Sequence, residues 1–75
     1  MDAIPLDLRG LKCPLPVLRV RKALSTARAG TLFVVQCTDP MAAIDLPHLA
    51  HETGDFIERQ GDADGALVFH IRKAA

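Results

Sequence analysis

The segment Arg9-Gly10-Leu11-Lys12-Cys13-Pro14-Leu15-Pro16 sets a cysteine directly ahead of two prolines one residue apart. Such a pair reads as the first turn of a helix, where the early backbone N–H groups have no partner within the helix and a missing donor costs nothing. On this reading Pro14 is the first helical residue, Cys13 is the N-cap, and the Leu15 amide is the first-turn donor free to reach the cysteine sulfur. A thiol at the positive end of a helix dipole, with Lys12 and Arg9 as neighbours, is expected to ionise more readily than free cysteine and to act as a nucleophile. Packing as a small hydrophobe is the alternative. Serine, threonine, aspartate or asparagine would cap the helix better, so stability alone does not explain a cysteine there.

The remaining candidates are weaker. Cys37 alternates with Phe33 and Val35 and reads as a buried structural cysteine, with a Cys13–Cys37 redox pair as the alternative; no C-x-x-C spacing supports the pair. His48 and His51 would share a helix face, but without thiolates or carboxylates at ligand spacing they read as surface residues and no metal is expected. His70 alternates with Phe69 and Ile71 and is expected to face solvent or a partner. Asp39, followed by Pro40, reads as a helix cap. Neither a Gly-rich phosphate loop nor a Ser-His-Asp set is present.

The elements that must hold Cys13 follow from periodicity. Ile4, Leu6 and Leu8 alternate with Pro5, Asp7 and Arg9, which predicts a strand over 3–9, with Pro5 suited to an edge or a strand start. A helix is expected from the Cys13-Pro14 start to Gly30, burying Val17, Val20, Ala23, Leu24 and Ala27 on one side and turning Arg19, Arg21, Lys22 and Arg28 away. Residues 31–38, TLFVVQCT, are apolar and β-branched enough for a central strand. Strand, helix, strand in this order is a parallel βαβ unit, so the Cys13 helix start and the end of the second strand share one edge of the sheet. A second helix over 40–53 contains Pro47, which predicts a break near Asp45 and a restart capped by Asp45. Strands at 56–60 and 66–72 flank a GDADG loop, with Leu67, Phe69 and Ile71 facing inward. The expected fold class is α+β: a two-layer sandwich, β-α-β-α-β-β, with a mixed four-stranded sheet and both helices on one face.

Composition bounds the function. Seventy-five residues, 49% hydrophobic and 24% charged, make one domain spanning 1–75 with no room for a deep active-site cavity, so chemistry belongs on a loop or an element end. Nine basic residues balance nine acidic ones, which argues against direct nucleic-acid binding. No apolar run is long enough for membrane insertion, the start lacks a secretory pattern, and two cysteines are too few for a disulfide framework, so a cytoplasmic protein is expected. The charge is asymmetric: six basic and two acidic residues up to Cys37, three basic and seven acidic from Thr38 onward. Either the two halves attract each other, or the first helix offers a basic face to an acidic partner.

RGLKCPLP followed by VLRVRKAL, with TDP and DLP further along, resembles the signature of the TusA (SirA-like) family of small sulfur carriers, and the likeness covers nearly the whole chain. The resemblance implies a carrier without a cofactor. Its cysteine, here Cys13, would take sulfane sulfur as a persulfide from a cysteine desulfurase or rhodanese-type donor and relay it to an acceptor protein. Family members serve thiolation of the tRNA wobble uridine, sulfur oxidation or other cofactor pathways. Such a protein is a sulfurtransferase-type carrier rather than a stand-alone multiple-turnover enzyme. Arg9, Lys12, Arg19 and Lys22 are the expected anion or partner contacts, Pro14 and Pro16 set the helix start, and the resemblance leaves room for Asp39 beside the reactive loop. Leu15 stands where some tRNA-pathway carriers have an acidic residue. With Leu18 and Lys22 on the same side of the helix, it would make an apolar docking patch edged by positive charge. Two alternatives from other classes are a regulatory module that docks through the first helix with Cys13 incidental, and a Cys13/Cys37 thiol-disulfide protein.

Overall fold

The computed structural model describes residues 3–74. The elements are β1 (Ile4–Leu8), α1 (Leu15–Thr26), β2 (Leu32–Cys37), α2 (Ala42–Thr53), β3 (Phe56–Ala63) and β4 (Ala66–Arg72), and the sheet order is β1-β2-β4-β3. β1 runs parallel to β2, β2 antiparallel to β4, and β4 antiparallel to β3, which is the expected mixed sheet. The two most apolar strands take the centre. β1, with Pro5, and the polar β3 take the edges, where unpaired backbone groups meet water.

Alternation decides which face is covered. Phe33, Val35 and Cys37 of β2 and Phe69 and Ile71 of β4 are buried in one cluster with Val20 and Leu24 of α1 and Leu46 and Leu49 of α2, so both helices lie on the same face. Each large side chain removed from water there contributes about 1.5–3 kcal/mol. On the other face Val34 lies across from His70 and Gln36 across from Val68, all half-buried. His70 thus points away from the core, as its alternation required.

Several element boundaries differ from the sequence expectation. α1 ends at Thr26 rather than near Gly30. Ser25 Oγ donates to Lys22 O at 2.7 Å and Thr26 Oγ1 to Ala23 O at 3.3 Å, so hydroxyls compete for the last-turn carbonyls, and Ala27 is already extended. Gly30, at φ +87, shapes the turn into β2 instead. α2 runs through Pro47 without the expected break. Proline in a helix interior costs about 3 kcal/mol, but Leu46 and Leu49 on either side are fully buried and together return about 3–6 kcal/mol, so packing outweighs the lost bond to Ala43. The hairpin is tighter than GDADG: β3 continues to Ala63, and Asp64 and Gly65, at φ 51 and φ 79, make a two-residue turn. Positive φ at both central residues matches the right-handed strand twist, and Asp-Gly adopts it readily.

Candidate functional site

In the parallel β1–β2 pair Leu8 lies beside Cys37, so the chain leaves both strands at the same edge of the sheet. The loop from β1 to α1 is tied to the loop from β2 to α2 by two bonds. The Gly10 N–H donates to Thr38 Oγ1 at 2.8 Å, and the Cys13 N–H donates to Asp39 Oδ2 at 2.5 Å. Gly10 sits at φ +85, a left-handed conformation that glycine adopts without steric cost. Asp39 also accepts the Met41 N–H on Oδ1 at 3.0 Å. One carboxylate therefore closes the turn before α2 and pins the cysteine backbone; Met41, not Asp39, is the N-cap, and α2 starts at Ala42 rather than at Pro40. These two amides, Cys13's first, hold the Asp39 carboxyl below its ordinary value, with Lys12 adding to the effect.

The Cys13 side chain is exposed. Its S–H donates to Asp45 Oδ2 at 3.3 Å, across a cleft of about 210 Å³ between α1 and α2. Pro14, Val17 and Arg21 line one wall, and Asp45, His48, Leu49 and Glu52 the other. Arg21 Nη2 donates to Glu52 Oε1 at 2.8 Å and closes the far end. Asp45 is therefore a partner of the thiol and not the cap of a restarted helix.

The structure corrects the expected chemistry of Cys13. The bond to Asp45, then partial desolvation, then the charges of Asp45 and Asp39 raise the thiol above its ordinary value, where the sequence predicted a lowered one. Helix-dipole stabilisation of an anion is worth about 0.3–1 kcal/mol at an exposed site, whereas a carboxylate bonded to the sulfur favours the thiol directly and repels the thiolate. The helix start also differs. Pro14 is the N-cap and Leu15 the first helical residue, after a cis Cys13–Pro14 peptide. The Leu15 N–H is taken by Lys12 O at 2.8 Å and so is not the sulfur's donor.

Among the expected contact residues, Leu15, Leu18, Arg19 and Lys22 are exposed on α1, and Lys12 and Pro14 are exposed beside Cys13. Two have other local roles. Pro16 is buried under α1 and serves packing. Arg9 is engaged by Asp7 through Nε and Nη2, both at 2.8 Å, which pulls the Asp7 carboxyl down to about 2. Met41 and Ile44, at the start of α2, are two further exposed apolar side chains. Cys37 is fully buried, and burial pushes its thiol up to about 11; both cysteines are free, and a Cys13–Cys37 redox pair is disfavoured. Among the described residues no group of three or more His, Cys, Asp or Glu is arranged to hold a metal ion. Among the described residues no helix is long and apolar enough to cross a membrane.

Asp45 is the residue that sequence reasoning missed. The available signal was its place in the first turn of a helix starting at the same sheet edge as Cys13.

The family described as Sulfurtransferase TusA matches residues 4–73. This chain belongs to the TusA family. It is 36% identical over 69 residues to the sulfur carrier protein TusA of Allochromatium vinosum, covering 92% of this chain and 91% of that one. It is equally 36% identical over 74 residues to the sulfur carrier protein TusA of Pseudomonas putida, covering 99% of this chain and 91% of the relative. The crystal structure of a SirA-like protein from Desulfitobacterium hafniense superposes with a TM-score of 0.82 at 27% identity, covering 96% of this chain and 99% of that one. Both the TusA membership and the α+β sandwich read from RGLKCPLP and the strand and helix periods are borne out.

Proposed function

We propose that this protein is a sulfur carrier that holds sulfane sulfur as a persulfide on Cys13 and relays it from a donor protein to an acceptor protein. The observation that carries the reading is the exposed Cys13 thiol at the entrance to α1, within a chain matched over 70 residues, 4–73, by the sulfurtransferase family. In loading, Cys13 Sγ attacks the terminal sulfur of a donor persulfide. The donor S–S bond breaks, a new S–S bond forms on Cys13, and the donor cysteine leaves as a thiolate that takes up the proton Cys13 gave away. In unloading, an acceptor thiolate attacks the terminal sulfur on Cys13 and the same exchange runs again. No oxidant is consumed in either step. Both need the sulfur at the surface, because each partner must bring its own cysteine to it.

The donor in this reading is a cysteine desulfurase or a rhodanese-type protein, and the acceptor lies in tRNA thiolation or another sulfur-trafficking route. Leu15 and Leu18, edged by Lys12, Arg19 and Lys22, form the docking surface, and the relay operates in the cytoplasm, where thiols stay reduced.

The test is incubation with a cysteine desulfurase and cysteine carrying radiolabelled sulfur. Label that enters the wild-type chain, is released by a thiol reductant, persists in Cys37→Ala and is lost in Cys13→Ser is the expected result. Label retained in Cys13→Ser would overturn the assignment.

A further inference from the structure

Cys13 keeps unusual company for a sulfur that must be attacked. The groups facing it are Asp45, His48 and Glu52 from α2, Arg21 from α1, Asp39 from the β2–α2 connection and Lys12 from its own loop. The Arg21 charge is engaged by Glu52 at 2.8 Å, and Glu52 also lies 3.5 Å from His48 Nε2. Lys12 acts on Asp39. That leaves Asp45 as the charged group in direct contact with the sulfur, with Oδ2 3.3 Å from Sγ.

A carboxylate at that distance treats the two states of a carrier differently. In the empty carrier it accepts the S–H bond and favours the neutral thiol. In the loaded carrier Sγ has no proton to donate, and the terminal sulfur of a persulfide is an anion at neutral pH because persulfides are more acidic than thiols. The bond is gone, and a like charge stands beside the anion. We propose that Asp45 biases sulfur off this carrier: it stabilises the empty form by holding the Cys13 proton and destabilises the loaded form by repelling the persulfide anion.

This assignment rests on the persulfide reading above and adds to it a reason for unloading. A relay that bound sulfur tightly would be a sink, whereas one whose empty state is favoured passes sulfur onward and reacts slowly with stray electrophiles between partners. The raised thiol of Cys13, owed first to its bond with Asp45, agrees with the empty-state half of the argument.

The experiment compares wild type with Asp45→Asn, and with Asp45→Ser as a second charge-removing variant that holds if the first folds poorly. Two quantities are read. The first is the pH profile of Cys13 alkylation by iodoacetamide, followed by intact mass. The second is the equilibrium loading of Cys13 from glutathione persulfide, in which the glutathione S–S bond breaks, the sulfur moves to Cys13 and glutathione leaves with the Cys13 proton. Removing the charge is expected to move the alkylation profile to lower pH, to speed alkylation at neutral pH about threefold or more, and to raise the loaded-to-empty ratio about threefold or more. Profiles and ratios that superpose on wild type would overturn the role of Asp45. Should wild type alkylate at Cys13 yet never load sulfur, the persulfide reading falls instead, and the alkylation profiles alone decide whether Asp45 holds the thiol proton.

Discussion

Asp39 spends both carboxylate oxygens on backbone amides, one from Cys13 and one from Met41, so it joins the reactive loop to the start of α2. Because those bonds favour its ionised form, its contribution is present above the ordinary carboxylate range and is lost as pH falls through its own lower value. Asp39→Ala is expected to leave the sheet intact while the Cys13 amide exchanges with solvent roughly several-fold faster, as hydrogen exchange read by NMR would show; unchanged protection of that amide would contradict the role. Acidification of the wild type should reproduce the same local loosening. Cys13 itself was legible because a cysteine ahead of two prolines has few structural reasons to exist. Its electrostatic setting was not, since Asp39 and Asp45 stand 26 and 32 positions away in sequence. The visible neighbours, Arg9 and Lys12, suggested the opposite sign, and Arg9 turned out to be occupied by Asp7.

Elements were legible where one period dominates. TLFVVQCT could only be an interior strand, and the apolar stripe from Val17 to Ala27 located α1. Boundaries escaped for two reasons: local hydroxyl bonds from Ser25 and Thr26 ended α1 early, and burial of Leu46 and Leu49 overrode the proline signal and carried α2 through Pro47. That override is measurable. Pro47→Ala restores a donor for the Ala43 carbonyl and removes the ring's crowding, so it is expected to stabilise the protein by about 1 kcal/mol or more and raise Tm by about 4–8 °C. A lower Tm would mean that the half-buried proline ring contributes more by packing than it costs the helix. The α2 position matters for the site, since Asp45 reaches Cys13 only from a helix already formed at residue 45.

At the scale of the whole molecule, strand order was the part sequence could not supply: local periods do not say that β4 rather than β3 docks on β2. The order follows once Phe69 and Ile71 must join Phe33, Val35 and Cys37 in one cluster under both helices. Cys37 makes that cluster sensitive to alkali. Its thiol, ordinarily 9.0, is held up to about 11 by burial, so its stabilising contribution is complete below the ordinary value and is lost as pH rises through about 11. Urea unfolding at pH 8 and pH 11 should show a loss on the order of 2 kcal/mol in wild type that Cys37→Ala lacks; identical pH dependence in the two proteins would contradict it. The buried cysteine thus serves the scaffold, and the exposed one is the proposed sulfur site. The most direct test of that division is the intact mass of the purified protein after incubation with a working cysteine desulfurase and cysteine. One added sulfur is expected, mapped to the peptide containing Cys13 and removed by reductant. An unchanged mass, or a sulfur mapped to Cys37, would contradict it.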